Sequence, residues 1–162
     1  MEINFQTALR EKYDRLSDVK EMVLSTCADN QVTSRLVSVA CFENIVYFLS
    51  WKHHVKCVQI AQNPMVSFCF DNLQMNGIAV IHGDPRAESN AIIAEKYKSK
   101  QPMLFRRFAP LEGMIIVEAK ISYIKAWIKE DMKFFIEHID VPKCKAYKLK
   151  PEDDERLSQR FQ

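Results

Sequence analysis

Residues 45–70 read IVYFLSWKHHVKCVQIAQNPMVSFCF, and this segment carries most of the information in the chain. Its first seven residues are apolar and predict a buried strand, and residues 65–70 predict a second strand. Between the two strands we predict a short helix from about His54 to Gln62. The Asn-Pro pair at 63–64 ends this helix, because a residue before proline avoids helical backbone geometry.

The corner between the first strand and the helix is cationic. It contains Lys52, His53, His54 and Lys56, and we call these four residues the cationic corner. The first turn of a helix has free backbone N–H groups and the positive end of the helix dipole, so it attracts anions. Lys56 adds a full charge to that turn. The pattern predicts a phosphate-binding element, although the chain has only three glycines and no glycine-rich nucleotide loop.

Composition and charge narrow the class of protein. A chain of 162 residues, 48% hydrophobic and 27% charged, predicts one globular domain. The net charge of +2 is too small to favour nucleic acid or an anionic membrane as a partner. No apolar run approaches the roughly 20 residues of a membrane span, and no secretion signal is evident. The five cysteines contain no Cys-x-x-Cys pair, so we expect a reducing, cytoplasmic location.

The remaining elements follow from hydrophobic periodicity. We predict helices at 3–20 and 88–100, a short helix at 131–139, and strands at 22–28, 32–42, 78–82 and 114–121, the last able to continue to 127. Turns are expected at Asp71-Asn72 and Asn76-Gly77. Residues 144–149 form a strand or irregular structure, and the polar segment 151–162 is a loosely held tail or a helix. About six strands in one meander predict a mainly β fold, a closed or nearly closed antiparallel barrel with flanking helices.

For two strands of this barrel, the sequence leaves open what lies against one face. On the strand at 32–42, Arg35 shares a face with Thr33, Val37 and two further apolar residues. An arginine cannot lose its charge, so Arg35 lies at a wet rim, pairs with a carboxylate, or binds an anion. The strand at 45–51 is apolar on both faces. The barrel interior covers one face, and a helix, a second subunit or a flat ligand covers the other.

Taken together, these segments resemble the FMN-binding split barrels related to pyridoxamine 5′-phosphate oxidase. The resemblance covers roughly residues 20–128. It rests on Arg35-Leu-Val-Ser38, on Val46-Tyr-Phe-Leu-Ser-Trp51, on Lys56 at a helix start, on the run from Gln59 to Phe68 through Asn63-Pro64, and on Val80-Ile-His-Gly-Asp-Pro85. The chain is thus expected to be a single six-stranded split-barrel domain, with an N-terminal helix at 3–20, a barrel at about 22–128 and a C-terminal extension at 129–162.

The resemblance also implies a cofactor site. It implies a homodimer that holds an FMN at each subunit interface, with Arg35 and Lys56 on the phosphate. The residues expected to bind the cofactor are Arg35, Leu36, Val37, Ser38, Ser50, Trp51, His54, Val55 and Lys56, together with Asn76, Gly77 and Ile78 of the partner subunit. His54 stands where the family often has a serine or another phosphate-contacting residue. The resemblance identifies no catalytic residue and no metal ligand.

Two departures separate the chain from the vitamin B6 enzyme. The true oxidases carry a lysine five residues after the arginine, where this chain has Ala40, and residues 155–161 lack their arginine-rich, tryptophan-containing substrate motif. The chain therefore resembles the general-stress and nitroimidazole-resistance branch of the family. We expect an FMN-dependent oxidoreductase acting on a small molecule, with a nicotinamide as the candidate electron donor.

Two other readings of the residues stay open. The first is a flavin or haem carrier or sensor without turnover, in which His53 or His54 is an axial ligand. The second is a metal site formed by His53 and Cys57, which are four residues apart on one helix face. A third ligand for this second site is not evident in the sequence.

Overall fold

The computed structural model describes residues 1–158 of the chain, with side chains as far as residue 154. The predicted tail extends past this limit, and its residues 159–162 lie outside the described part. The helices are α1 (Phe5–Leu16), α2 (Val55–Gln62), α3 (Ala91–Lys100, after a single 3₁₀ turn), α4 (Pro102–Phe108) and α5 (Pro151–Ser158). The strands are β1 (Glu21–Ala28), β2 (Gln31–Phe42), β3 (Ile45–Trp51), β4 (Met65–Phe70), β5 (Leu73–Gly83), β6 (Met114–Glu130), β7 (Lys133–Asp140) and β8 (Lys145–Leu149).

Six of the described strands close into an antiparallel barrel. They follow the order β3-β2-β1-β4-β5-β6, and β6 then pairs with β3 from Ile45 opposite Lys120 to Trp51 opposite Met114. This closure confirms the predicted fold class. β6 is 17 residues long, so its second half runs beyond the barrel and pairs with β7, which in turn pairs with β8.

Alternating side chains of the barrel strands fill the interior. Leu24, Val39, Phe48, Phe68 and Val117 are all fully buried there. α2 closes this core from one side, because its Cys57 and Ile60 pack into the same cluster. The first residues of α2, where the cationic corner lies, are thereby fixed against the barrel.

The second apolar face of β3 is covered by a helix. Tyr47 packs against Tyr97 of α3, together with the fully buried Ala40 and Ile116. Of the three covers that the sequence left open, the structure shows the helix. α3 is tied to the barrel at its end, where the Gln101 amide donates to the carbonyl oxygens of Lys20 and Val39 at 2.9 and 2.8 Å.

Two sequence-based predictions are wrong. Asn76-Gly77 is not a turn, because β5 runs through it with a bulge, and the only hairpin turn there is Asp71-Asn72. Residues 131–139 are not a helix: Asp131 and Met132 form a tight turn with positive φ, and β7 follows. α4 was not predicted. The first helix is also shorter than expected, ending at Leu16.

Among the residues that the structure describes, no helix is both long enough and apolar enough to cross a membrane.

Candidate functional site: a cationic corner beside an apolar cleft

An apolar cleft of about 190 Å³ lies between the barrel and the helices α3 and α4. Seven of the twelve residues expected to bind a cofactor line it: Leu36, Val37, Ser38, Ser50, Trp51, His54 and Lys56. The barrel wall comes from β2 and β3, and His54 and Lys56 of the cationic corner also line the cleft. The opposite wall comes from Tyr97, Leu104 and Phe108.

Trp51 connects the corner to this opposite wall. Its ring lies 5.3 Å from the His54 ring and meets the Phe108 ring edge-on at 5.9 Å, both measured between centroids. Trp51 is only partly buried, so its indole remains available to a ligand. The cleft thus has flat aromatic and aliphatic walls suited to a planar, largely apolar molecule.

Lys56 stands in the first turn of α2 and faces the cleft. Its Nζ lies 3.2 Å from His54 Nδ1. Burial, and then the nearby Arg35 charge, hold the pKa of Lys56 below its ordinary value. Among the described residues, no acceptor pairs with the backbone N–H groups of Val55 and Lys56. These donors and the Lys56 ammonium form the anion-attracting helix start that the sequence predicts.

Arg35 does not line the cleft itself, but it lies close enough to Lys56 for the two charges to interact. Its guanidinium donates to the Thr26 hydroxyl at 2.8 Å, to the Leu24 carbonyl at 3.4 Å and to the Thr33 hydroxyl. All three acceptors are neutral. Burial lowers the pKa of Arg35 from its ordinary value, because the desolvated charge is not compensated.

The two cations therefore stand close together without a counter-charge. Through residue 154, no carboxylate forms an ion pair with Arg35 or Lys56. The sequence left open that Arg35 pairs with a carboxylate, and the described residues contain no such partner. Two partly buried cations that repel each other gain most from a bound anion with two charges. A phosphate monoester is such an anion.

Burial also determines the pKa of His54 at this corner. Burial first, and then the charges of Lys56 and His53, hold the pKa of His54 below its ordinary value. A neutral imidazole at pH 7 follows from this. Its Nδ1 can accept a hydrogen bond from the Lys56 ammonium, which leaves the other ring nitrogen for a ligand.

The other predicted residues lie away from this cleft. The Val55 side chain is exposed, and its backbone N–H has no acceptor among the described residues. Asn76, Gly77 and Ile78 belong to β5 and do not line the cleft of their own chain. Ile78 is about half exposed, so it is free to meet another molecule.

The proposed metal pair does not form a joint site. His53 is exposed whereas Cys57 is buried in the core, so the two side chains lie in different environments. Among the described residues, no group of three or more candidate ligands gathers around one point.

The sequence did not reveal the wall formed by α3 and α4, nor the groups around Arg35. Leu104 and Phe108 lie on a helix of only 7 residues, which is too short to give a periodic signal. Thr26 and Thr33 reach Arg35 from two different strands, and Gln59 of α2 contacts both of their hydroxyls. The only early sign of them was Thr33, which shares a strand face with Arg35.

No protein-family model matches this chain, and no curated protein matches it. Solved structures do. The chain is similar to a haem-binding protein from Mycobacterium smegmatis, with 9% identity and a TM-score of 0.66 over 83% of this chain. It spans only 58% of that protein's length.

Two further solved structures match over most of their length. A putative pyridoxamine 5′-phosphate oxidase from Listeria innocua has 16% identity and a TM-score of 0.57, over 74% of this chain and 97% of that one. An FAD-binding protein from Mesorhizobium loti has 14% identity and a TM-score of 0.58, over 71% and 90%.

Identities this low bear on the fold alone. The six-stranded closure, the flanking helices and these neighbours agree with one another. The chain therefore has the split-barrel fold of the pyridoxamine 5′-phosphate oxidase-like proteins, as its sequence resemblance implied.

Proposed function

We propose that this protein binds FMN and works as a flavin-dependent oxidoreductase on a small molecule. The observation that carries the proposal is the pair of cations Arg35 and Lys56, which have no carboxylate partner among the described residues. Lys56 lines the cleft, and Arg35 lies beside it near enough for the two charges to interact. The FMN phosphate is a dianion near neutral pH, so it balances two positive charges. The isoalloxazine ring is planar and suits the Trp51 side of the cleft.

The flavin, when bound, supplies the redox chemistry, and the protein supplies binding and orientation. Arg35, Lys56 and the free N–H groups of the α2 start hold the phosphate. Val37, Ser50 and Trp51 lie where the ring enters the cleft, and Tyr97 and Phe108 exclude water on the opposite side. The α3 and α4 residues that line the cleft carry no charge, so an uncharged substrate suits the open side of the ring. A nicotinamide is the proposed electron donor.

We extend the proposal to a homodimer, with FMN held between the subunits. One surface supports it: Val23, Met65, Ile78 and Val80 are large apolar residues, each 38–53% exposed, on the paired strands β1, β4 and β5. Asn76, Gly77 and Ile78 lie on the same strand β5, so a partner that covers this surface would bring them near the cofactor.

A haem carrier is the second candidate function. It is favoured by His54, which lines the cleft and keeps a neutral imidazole, and by the likeness to the Mycobacterium smegmatis haem-binding protein. His53 does not line the cleft, so His54 is the candidate axial ligand. In this case the two cations would pair with haem propionates.

One titration separates the candidates. The purified protein is titrated with FMN, riboflavin, FAD and haemin, and absorption spectra and thermal shifts are recorded. We expect FMN to bind most tightly and riboflavin clearly more weakly, because only FMN offers a phosphate monoester. Equal binding of riboflavin would contradict the phosphate argument. Tight haemin binding that is lost in His54→Ala would establish the haem function instead.

A further inference from the structure

A buried polar network behind the site connects two strands with α2. Thr26 of β1 lies opposite Thr33 of β2 in the strand register. Both hydroxyls lie against the side-chain oxygen of Gln59 in α2, at 2.5 and 2.6 Å. The Gln59 amide nitrogen donates to the Gln31 carbonyl at 2.9 Å, which fixes the amide so that its oxygen faces the threonines.

The protons of this network can have only one arrangement. An amide oxygen has no proton to give, so each threonine hydroxyl must donate its single proton to Gln59. The hydroxyl lone pairs are then left for donors on the other side. Arg35 supplies those donors, with one terminal nitrogen on Thr26 at 2.8 Å and the other on Thr33.

Burial makes this arrangement rigid. Thr26 is 1% exposed and Gln59 is 6% exposed, so neither can exchange its partners for water without a cost. The network holds Arg35 by neutral oxygens only and does not cancel its charge. An arginine has five N–H donors, and three are occupied by Thr26, Thr33 and the Leu24 carbonyl. The other two have no acceptor among the described residues.

We propose that Gln59, Thr26 and Thr33 are positioning residues that hold Arg35 in the orientation needed to bind the phosphate of FMN. This inference rests on the proposed function and deepens it. The network makes the preference for FMN over riboflavin depend on side chains that do not themselves touch the cofactor. A carboxylate in the place of Gln59 could also hold the network around Arg35. Its negative charge would, however, offset the positive charge that the phosphate requires.

Thr33→Val tests the proposal, because it replaces a hydroxyl by a methyl group of similar shape at a half-buried position. Affinities for FMN and riboflavin are measured for wild type and variant by flavin fluorescence quenching. We expect FMN affinity to fall about threefold to tenfold, the effect of one lost hydrogen bond, and riboflavin affinity to stay the same. Thr33→Ser restores the hydroxyl and should restore the FMN preference.

Ser34→Ala is the matched control. Ser34 follows Thr33 on the same strand, and its hydroxyl lies 2.8 Å from that of Ser25 on β1. This serine pair is next to the Thr26–Thr33 pair in the strand register, but its side chains lie on the outer side of the barrel. Ser34→Ala should leave both affinities unchanged. A purely structural role of the network would lower the melting temperature of Thr33→Val and weaken both ligands equally, and that result would overturn the proposal.

Gln59→Glu provides a second variant that keeps an acceptor for both threonines. Its carboxylate should lower FMN affinity by about tenfold or more and leave riboflavin binding unchanged, because it competes with the phosphate for Arg35. An unchanged FMN-to-riboflavin ratio in both Thr33→Val and Gln59→Glu overturns the positioning role while the proposed function stands. If wild type itself shows no preference for FMN, the proposed function fails and the inference fails with it.

Discussion

Arg35 and Lys56 are both cations, but the fold holds their side chains in different ways. Arg35 is fixed on a strand by neutral oxygens of Leu24, Thr26 and Thr33. Among the described residues, the Lys56 side chain has one polar contact, with His54. A planar guanidinium gives direction to an anion contact, whereas an ammonium gives charge alone. Removal of Arg35 should therefore cost directed hydrogen bonds to the anion, whereas removal of Lys56 should cost mainly positive charge.

We expect Arg35→Ala and Lys56→Ala each to weaken FMN binding about tenfold to a hundredfold, since a hydrogen bond to a charged group contributes roughly 1.5–3 kcal/mol. Calorimetric titration checks this. Lys56→Ala should leave folding stability nearly unchanged, while Arg35→Ala leaves the buried Thr26 lone pairs without a donor and lowers stability. Lys52→Ala, an exposed change in the same cationic corner, is the control. Unchanged FMN affinity in both variants would show that these cations do not form the site.

At the scale of the element, β5 depends on a glycine where it crosses β6. Gly77 is buried at the bulge between Asn76 and Gly77, and an added Cβ would overlap the backbone carbonyl oxygen of Lys120. A backbone atom in a barrel strand cannot move as the end of a flexible side chain can. This close approach is a structural reason for Gly77 that is independent of any cofactor.

Gly77→Ala should therefore lower the free energy of unfolding by about 1–3 kcal/mol, the typical cost of overpacking. Urea denaturation followed by tryptophan fluorescence measures it. A change within about 0.5 kcal/mol, as expected for an ordinary surface substitution, would mean that the strands separate to admit the methyl group.

α5 is attached to the C-terminal hairpin by a buried histidine. His138 is 3% exposed and stacks on Tyr147, with its Nδ1 2.6 Å from the Tyr123 hydroxyl and its Nε2 2.9 Å from Asp154 of α5. Asp154 also pairs with Lys125. Burial holds the pKa of His138 below its ordinary value, and Asp154 opposes that shift only in part.

This depressed pKa predicts a pH dependence of stability. The unfolded chain binds the His138 proton first, at about pH 6.5, so stability is present above that pH and falls as the pH drops toward the folded pKa. The slope from one proton is at most about 1.4 kcal/mol per pH unit. His138→Gln should flatten the profile in this window. Identical profiles for wild type and His138→Gln would show that the histidine does not titrate on unfolding.

The elements also show what the sequence could predict and what it could not. β2, β3, α2 and β4 follow from uninterrupted local patterns, and their predicted bounds match the structure closely. The sequence of β7 predicts a helix wrongly, because its run of apolar residues fits the period of a helix as well as that of a strand. Pairing with β6 and β8 favours the strand, and such pairing cannot be read from the local sequence. Arg35 and Lys56 were found because a cation on an apolar pattern is a local signal. The role of Gln59 was not found, because Gln59 lies on a helix and its hydrogen-bond partners Thr26 and Thr33 lie on strands far away in the sequence.

At the scale of the whole molecule, the exposed surface on β1, β4 and β5 predicts self-association. Two-fold dimers are the commonest way to cover such a surface. Light scattering should show a dimer, and Ile78→Glu should shift it to a monomer that binds FMN more weakly, because Ile78 is a proposed partner contact. Ile92→Glu, a change at an exposed residue of α3, is the control. A wild-type monomer that binds FMN fully would contradict the dimer.

The packing of the whole molecule also predicts what the protein does not do. A pyridoxamine 5′-phosphate substrate needs a second phosphate site apart from the one that holds FMN. The position where the resembling oxidases carry a lysine is Ala40, which is fully buried beneath Tyr97 and Tyr47. α3 covers this position, so the barrel offers no charge there and no space for a phosphate. A substrate phosphate would lose charge-assisted hydrogen bonds of roughly 1.5–3 kcal/mol each.

We therefore expect no measurable oxidation of pyridoxamine 5′-phosphate by the FMN-loaded protein. The assay follows hydrogen peroxide and pyridoxal 5′-phosphate, with photoreduction of the bound flavin as the control that the cofactor is competent. Ala40→Lys should not create the activity, because the new ammonium would be buried under α3, and it should instead lower stability. Steady product formation by wild type would mean that other cations, with Arg106 and Arg107 of α4 as candidates, bind the substrate phosphate.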